Sequence, residues 1–386
     1  MYPDLSYLFH DLFGTATDNW LSIFKTFGLL VAMAVLTAAF LLKKELQRRA
    51  EIGQFQGVPA KIISNAPLDI QDYVLNAFFG FIVGFKLVYI AQNLDAMQAD
   101  PASIIISGKG NWLAGIIGAG LLTAYYFYLD SQRKKQGIKE ELKTLYPHDR
   151  IMDISTVAVI SGIIGAKLFT VVEQPQAFLA DPMGQLFSGD GWTIYGGLIG
   201  GFVGVYILLR RKAIPVLPVI DAVAPALIVS YGVGRMGCHL AGDGDWGIPA
   251  AAQPDWWFLP DWLWAQDYPR NVLNRGVEMA DCVGKYCNHL AEAVYPTSVY
   301  ETMMAFTIGL ILWSLRKKTT AWPGLLFAIY LMFNGAERFL IEGIRVNDRH
   351  EGLGGFTQAE FIALILLGIG VVWAGWLLLA KKQDAV

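Results

Sequence analysis

Apolar runs recur along the chain at residues 22–42, 74–94, 112–129, 152–173, 194–210, 216–237, 298–316, 323–343 and 359–380, separated by polar connections. An α-helix needs roughly 20 apolar residues to cross a bilayer. The pattern therefore predicts an all-α integral membrane protein, a polytopic helical bundle of about nine transmembrane helices. Basic residues cluster in alternate connections: Lys43, Lys44, Arg48 and Arg49; Arg133, Lys134 and Lys135; Arg210, Arg211 and Lys212; Arg316, Lys317 and Lys318; Lys381 and Lys382. Positive charge marks the cytoplasmic side. The expected organisation is an exported interfacial segment at 1–21, six helices over 22–237, an exported segment at 238–297, and three helices over 298–386 with the C-terminus in the cytoplasm.

The first segment carries acidic residues and has no positive n-region, so no cleavable signal peptide is expected. Its Leu5, Leu8, Phe9, Leu12 and Phe13 follow helical spacing behind Pro3, the pattern of a helix lying flat in the interface. The exported segment carries Trp256, Trp257, Trp262, Trp264 and Tyr268 among prolines and aspartates. Such rings form an ordinary aromatic belt at the headgroups, or cover an entrance from the lipid.

Composition agrees with the hydropathy. The chain has 54% apolar and 16% charged residues, against about 25% charged in a soluble domain. A net charge of −3 gives no sign of a nucleic-acid partner. Cys282 and Cys287 can pair if their segment is exported, whereas Cys238 stands alone near a helix end. The scattered His, Cys and Asp residues have no zinc spacing, and neither metal nor cofactor is expected.

The polar residues inside the apolar runs change the picture most, because a charge near hydrocarbon is expensive unless paired, wetted or used. Residues 234–247 read GRMGCHLAGDGDWG, which puts Arg235 at the outward end of one helix, followed by His239, Asp243 and Asp245. Glu301 begins the next helix, and Arg338, Glu342 and Arg345 share one face at i, i+4 and i+7 near the end of another. All of these are expected at the exported side. Guanidinium forks suit phosphate oxygens, and the abundant phosphate of a membrane is a phospholipid headgroup. The bland alternative is an ion-pair network that ties helices together. Tyr195 heads the glycine-rich stretch YGGLIGGFVG, whose glycines serve helix packing or ligand approach. Val83-Gly84-Phe85-Lys86-Leu87 is similar to Ile164-Gly165-Ala166-Lys167-Leu168, either a duplicated helix pair or a coincidence.

Four motifs in order resemble one family, the prolipoprotein diacylglyceryl transferases. Gly234, Arg235, Gly237, Gly242 and Gly247 keep the frame of its Gly-Arg-x-Gly-Asn-Phe-x-Asn-Gly-Glu-x-x-Gly segment, with Asp243 or Asp245 standing for the Glu. Cys238, His239 and Ala241 replace the first Asn, the Phe and the second Asn. YGGLIGG at 195–201 is similar to its His-Gly-Gly-Leu-Ile-Gly, and YPTSVYE at 295–301 to its His-Pro-x-Gln-Leu-Tyr-Glu. ERFLIEGIR at 337–345 is similar to its Arg-Phe-x-x-Glu-x-x-Arg, and the two Gly-x-Lys-Leu elements to its Gly-x-Arg turn. The 44–73 loop and the Trp-rich insert look like additions.

The resemblance implies a multi-pass protein of the bacterial inner membrane whose active site faces the exported side. It would move diacylglycerol from phosphatidylglycerol to the lipobox cysteine thiol of an exported prolipoprotein, releasing glycerol 1-phosphate. Arg235 and Arg338 are then expected at the phosphate, with Arg345 as a more distant guide and Glu342 and Glu301 holding the arginines. Gly234, Gly247, Tyr300 and Gly196 are expected to line the substrate. Two departures bear on mechanism, since Tyr195 and Tyr295 stand where the family has histidines and tyrosine is a poor base near neutral pH. The thiol-activating role would pass to His239, Asp243, Asp245 or Glu301. Competing classes are an anion or small-molecule transporter, with Lys86 and Lys167 lining a path, and a relative that binds phospholipid or prolipoprotein without turnover. The oligomeric state is left open.

Overall fold

In the computed structural model, which describes residues 1–99, 101–187, 193–347 and 354–383, the apolar runs are helices. They are α1 (Leu5–Phe13), α2 (Thr26–Glu51), α3 (Ile70–Gln92), α4 (Leu94–Ala99), α5 (Pro101–Ile106), α6 (Trp112–Gln136) and α7 (Ile151–Glu173). There follow α8 (Pro175–Ala180), α9 (Pro182–Phe187), α10 (Ile194–Arg211), α11 (Val216–Ala241), α12 (Thr297–Leu315), α13 (Leu325–Glu342) and α14 (Gln358–Gln383). Among the described residues, 8 helices are long and apolar enough to cross a membrane: α2, α3, α6, α7 with the turn before it, α10, α11, α12 and α14. The remaining run, α13, also forms, and carries Glu337, Arg338 and Glu342 in its last turns. The chain is a polytopic all-α membrane protein. Two antiparallel ribbons accompany the helices, β1 (Val58–Ser64) with β2 (Lys139–Leu145) and β3 (Val277–Glu278) with β4 (Asn288–His289).

The helices fall into two compact units, residues 56–208 and residues 1–55 with 209–386. The first consists of two hairpins built to one plan: α3 leads through the short α4 and α5 into α6, and α7 leads through α8 and α9 into α10. Gly84 lies against the Ala114 carbonyl and the Gly118 Cα, and Gly165 lies in the same way against Gly196 and Gly200, so closely that a side chain at either glycine would collide with backbone. Two residues beyond each glycine a lysine turns to the carbonyls of the connecting helices. Lys86 Nζ donates to Ile104 O at 2.9 Å, to Lys109 O at 3.0 Å and to the Ser107 carbonyl. Lys167 Nζ donates to Gln185 O at 3.2 Å. The connections also agree in sequence, Ala99-Asp100-Pro101 with Ala180-Asp181-Pro182 and Ser107-Gly108 with Ser188-Gly189, at a constant offset. The short Gly-x-Lys-Leu similarity thus belongs to a duplicated hairpin.

Both lysines act as clamps here, since each donates to backbone carbonyls of its connecting helices. Replacing Lys86 by Met strands several carbonyl acceptors, each at a cost of about 1–3 kcal/mol. Lys86→Met is expected to speed hydrogen exchange across residues 94–110 and to leave the α7–α10 hairpin unchanged; equal loss of protection in both hairpins would contradict the separate clamps.

The second unit is built around α11. This helix packs on α2 where Gly237 meets Leu30 and Phe27, and on α12 where Gly232 meets Ala305 and Phe306. Its first half joins the core formed by Ala224, Ile228, Ala305, Ile308, Leu312 and Leu326. Near its start Asp221, fully buried, accepts from Gly324 N at 2.8 Å and Phe327 N at 2.9 Å, satisfying backbone donors at the head of α13. Arg49 sits 3.7 Å from that carboxylate and 2.9 Å from Glu45, which also holds Arg48 and Arg316. These pairs explain why α2 runs to Glu51 when its apolar run stops at residue 42. Arg49, grouped by sequence with loop charges, is completely buried.

At its other end α11 closes on Gly242, whose φ of 64° suits the helix-terminating left-handed turn. The polar insert that follows is held by the Cys282–Cys287 disulfide and by buried Asn271, whose amide donates to the carbonyls of Tyr268, Arg275 and Asn288. The N-terminal helix α1 joins this insert. Tyr7 Oη accepts from Tyr286 N at 3.1 Å, Asp18 accepts from Lys285 N at 2.7 Å, and Arg270 pairs with Asp11 at 2.9 Å. Leu12 and Phe13 remain exposed at its end.

Candidate active site

The C-terminal half of α11, the first turns of α12 and the end of α13 bring together most of the ionisable side chains singled out above. Tyr231 and Arg235 stand one turn apart on α11 and both reach Glu301 of α12. Tyr231 Oη donates to Glu301 Oε1 at 3.1 Å and Arg235 Nε to Oε2 at 2.5 Å, with a second ion-pair contact from Arg235 Nη2. Arg338 and Arg345 approach the same carboxylate through Nη1, at 3.4 and 3.3 Å. Arg338 Nη2 also pairs with Glu342 at 2.9 Å, one turn along α13. Glu342 accepts in addition from Asn347 at 2.5 Å and from Thr357 Oγ1 at 2.9 Å. Glu301 itself is fully buried. A carboxylate that deep is sustained only by opposite charge and hydrogen bonds, and here three guanidiniums supply them.

Beyond α13 the chain is held by a short backbone pairing to the start of the insert. Gly247 pairs with Arg345, and Ile248 N donates to Ile344 O at 2.9 Å. An added Cβ at Gly247 would lie 2.6 Å from the Ile344 carbonyl oxygen, so glycine is what allows this approach. The pairing delivers Arg345 to the cluster, where its Nη2 donates to Asp245 Oδ1 at 2.7 Å while Arg235 Nη1 pairs with Oδ2. Arg345 reaches Glu301 as closely as Arg338 does. Asp245 is in turn fixed by Thr297, which donates to its carbonyl at 2.9 Å.

Of the two acids after α11, Asp245 meets the arginines. Burial would raise its carboxyl, but Arg235 and Arg345 outweigh that and hold it at about 2. Asp243 instead accepts from Asp245 N at 3.2 Å and faces Cys238, and burial pushes it above the usual carboxylate range. The Cys238 thiol and the two carboxylates lie within 4.8 Å of one another. The charge of Asp245 in that trio is already met by two guanidiniums, which disfavours a cation there.

A carboxyl whose folded value is depressed stabilises the fold above its unfolded value and loses that contribution as pH falls through the folded one. Asp245→Asn is therefore expected to lower thermal stability near neutral pH, by on the order of 1 kcal/mol once solvent screening is allowed for. The deficit should close as pH approaches about 2. Detergent-solubilised unfolding curves across that range check it; a deficit that stays constant would mean that the loss is not electrostatic.

Other expected residues are placed differently. His239 is buried, with its Nδ1 3.4 Å from Tyr268 Oη and its ring beside Trp262. Tyr300 Oη donates to Leu263 O at 2.6 Å and Tyr295 Oη accepts from Ala251 N at 3.1 Å, so both tyrosines fasten the Trp-rich insert. Trp256, Trp257 and Trp264 pack edge to face on one another, and Trp264 also packs on Tyr295. A side chain at Gly234 would meet no atom within 4 Å, which leaves the backbone beside Arg235 uncovered. In the other unit, Gly196 is taken up by packing against Gly165 and Phe169, and Tyr195 is half-buried beside it. Tyr231 was not among the expected residues, although its spacing of four from Arg235 on one helix was a signal for it.

The family model for prolipoprotein diacylglyceryl transferase matches residues 109–376. A phosphatidylglycerol-prolipoprotein diacylglyceryl transferase of Clostridium tetani is 28% identical over 257 residues, which is 66% of this chain and 88% of that protein. One from Dehalococcoides mccartyi is 27% identical over 294 residues, covering 75% and 96%, and one from Clostridium perfringens is 26% identical over 265 residues, covering 67% and 87%. The motifs that line the guanidinium cluster lie inside the matched region, and the chain belongs to the prolipoprotein diacylglyceryl transferase family.

Proposed function

We propose that this chain transfers the diacylglyceryl group of phosphatidylglycerol to the lipobox cysteine thiol of an exported prolipoprotein, at a site facing the exported side of the bacterial inner membrane. The observation that carries this reading is the convergence of Arg235, Arg338 and Arg345 on Glu301 and Asp245. Planar forks aimed at one point recognise a phosphodiester, and the two carboxylates hold them in that geometry. In the reaction the thiol sulfur bonds to the glyceryl carbon, the carbon–oxygen bond to phosphate breaks with its electron pair going to oxygen, and the thiol gives up its proton. Guanidiniums placed where charge collects on the departing phosphate lower the barrier for that cleavage.

Of the carboxyls expected to activate the thiol, Asp243 is the best placed to receive the proton, because it lies beside Cys238 and is in no ion pair, whereas Asp245 and Glu301 are held by guanidiniums. His239 packs beside Tyr268 and Trp262. The alternating basic connections support the exported orientation. Release of glycerol phosphate from phosphatidylglycerol vesicles, dependent on a lipobox peptide, tests the proposal; release without peptide, or none with it, would sink it. A relative that binds phospholipid without turnover is the second reading, favoured by Tyr295, which stands at a family histidine and is engaged in holding the insert.

A further inference from the structure

Among the described residues of this region two carboxyls stand outside the ion pairs, Asp243, which accepts from Asp245 N, and Glu337, which accepts from nothing. Glu337 is 3% exposed, and neither of its carboxylate oxygens has a hydrogen-bond partner among the described residues. Its neighbours contrast with it: Glu301 takes three guanidiniums and a phenol, Asp245 takes two guanidiniums, and Glu342 takes a guanidinium, an amide and a hydroxyl. Glu337 nevertheless lies within electrostatic reach of the cluster. Arg235 and Tyr231 act on it from α11, Glu301 from α12, Arg338 and Tyr330 from its own helix, and Arg345 from the segment beyond. On its α14 side, Gly335 packs against Ala363 and Leu367, while the acid of that helix, Glu360, accepts from Thr357 N at the Glu342 end.

The charge count gives this carboxyl a consequence. Three arginines face Asp243, Asp245, Glu301, Glu337 and Glu342. With every group ionised the cluster is net negative before any ligand arrives, and a phosphodiester brings one more negative charge. Two carboxylates that share a site with a further anion cannot all stay ionised cheaply, and the one with no donor to hold its charge is the one that takes a proton. We propose that binding of an anionic phosphodiester headgroup is coupled to protonation of Glu337, which makes this side chain a charge-setting residue for headgroup affinity. The inference rests on the phosphodiester reading of the arginines. At 3% exposed, Glu337 acts through the local potential and not by touching the ligand.

The test is equilibrium binding of short-chain phosphatidylglycerol to the purified full-length protein in uncharged detergent, without peptide, from about pH 6 to about pH 9. Above the ionisation of Glu337 the wild-type dissociation constant should rise about tenfold per pH unit, as expected for one linked proton. In weakly buffered solution the protein should take up a proton as lipid binds. Glu337→Gln, which mimics the protonated acid, should bind with a pH-independent constant and no proton uptake. Glu337→Met should behave alike, because the charge and not the hydrogen-bonding capacity is what counts. A wild-type affinity that ignores pH, or variants that retain the wild-type slope, overturns the inference. Proton-linked binding in a protein that releases no glycerol phosphate with peptide would instead sink the transferase reading and leave the coupling standing.

Discussion

Arg235→Lys is expected to lower peptide-dependent release of glycerol phosphate by about 10²- to 10³-fold, the loss that follows removal of one donor from a developing oxyanion. Lysine keeps the charge and gives up the fork. Arg235 uses its Nε and both terminal nitrogens, two of them on Glu301 and one on Asp245. One ammonium cannot reproduce that spread. The choice of lysine matters, because alanine would leave Glu301 buried beside fewer counter-charges and add about 3–5 kcal/mol of instability to any catalytic loss. If Arg235→Lys turned over as wild type does while the corresponding Arg338→Lys failed, the phosphate would sit nearer α13 than α11.

The other large effect is expected at Glu301, which is the common anion of three arginines. Glu301→Gln leaves Arg235, Arg338 and Arg345 facing one another across a buried point, and breaking such a pair costs about 3–5 kcal/mol. Phosphatidylglycerol should partly replace the missing anion. Thermal unfolding of the variant in micelles should therefore recover on adding phosphatidylglycerol and not on adding a zwitterionic phospholipid, and the recovery should exceed any shift of the wild type. Equal rescue by both lipids would mean that the arginines tie helices together and do not read phosphate.

Much of this arrangement was legible in the sequence because membrane helices reduce the problem to one dimension. The apolar runs set the spans, and i, i+4 spacing put Arg338 and Glu342 on one face before any packing was known. What the sequence left hidden depended on chain reversals and on neighbours far away in number. Asp243 and Asp245 are equivalent in a string of glycines and acids; only the turn closed by Gly242 and the Thr297 bond to the Asp245 carbonyl separate their roles. The nearness of Arg345 depends on a single backbone pairing at Gly247. Arg49 shows the opposite limit. Beside Arg48 and the lysines it has the look of a loop charge, and its burial against Glu45 and Asp221 requires the approach of α11. Tyr300 and Tyr295 occupy motif positions, but long rings reach outward to the insert that this chain carries.

The duplicated hairpin supplies an internal control of a kind that single sequences rarely offer. Both copies obey the same steric demands, and residues common to the two, such as Gly84 with Gly165 and Lys86 with Lys167, make matching contacts within each hairpin. Next to the glycine seam the second copy has Tyr195, and the first, where Ala114 takes the place of Gly196, has Leu113. Among the described residues, the second also links Glu173, Thr193 and Thr170 through hydroxyls, at 2.9 and 3.1 Å. Tyr195→Leu, which gives the second hairpin the residue of the first, therefore separates what Tyr195 adds from what the shared hairpin plan requires.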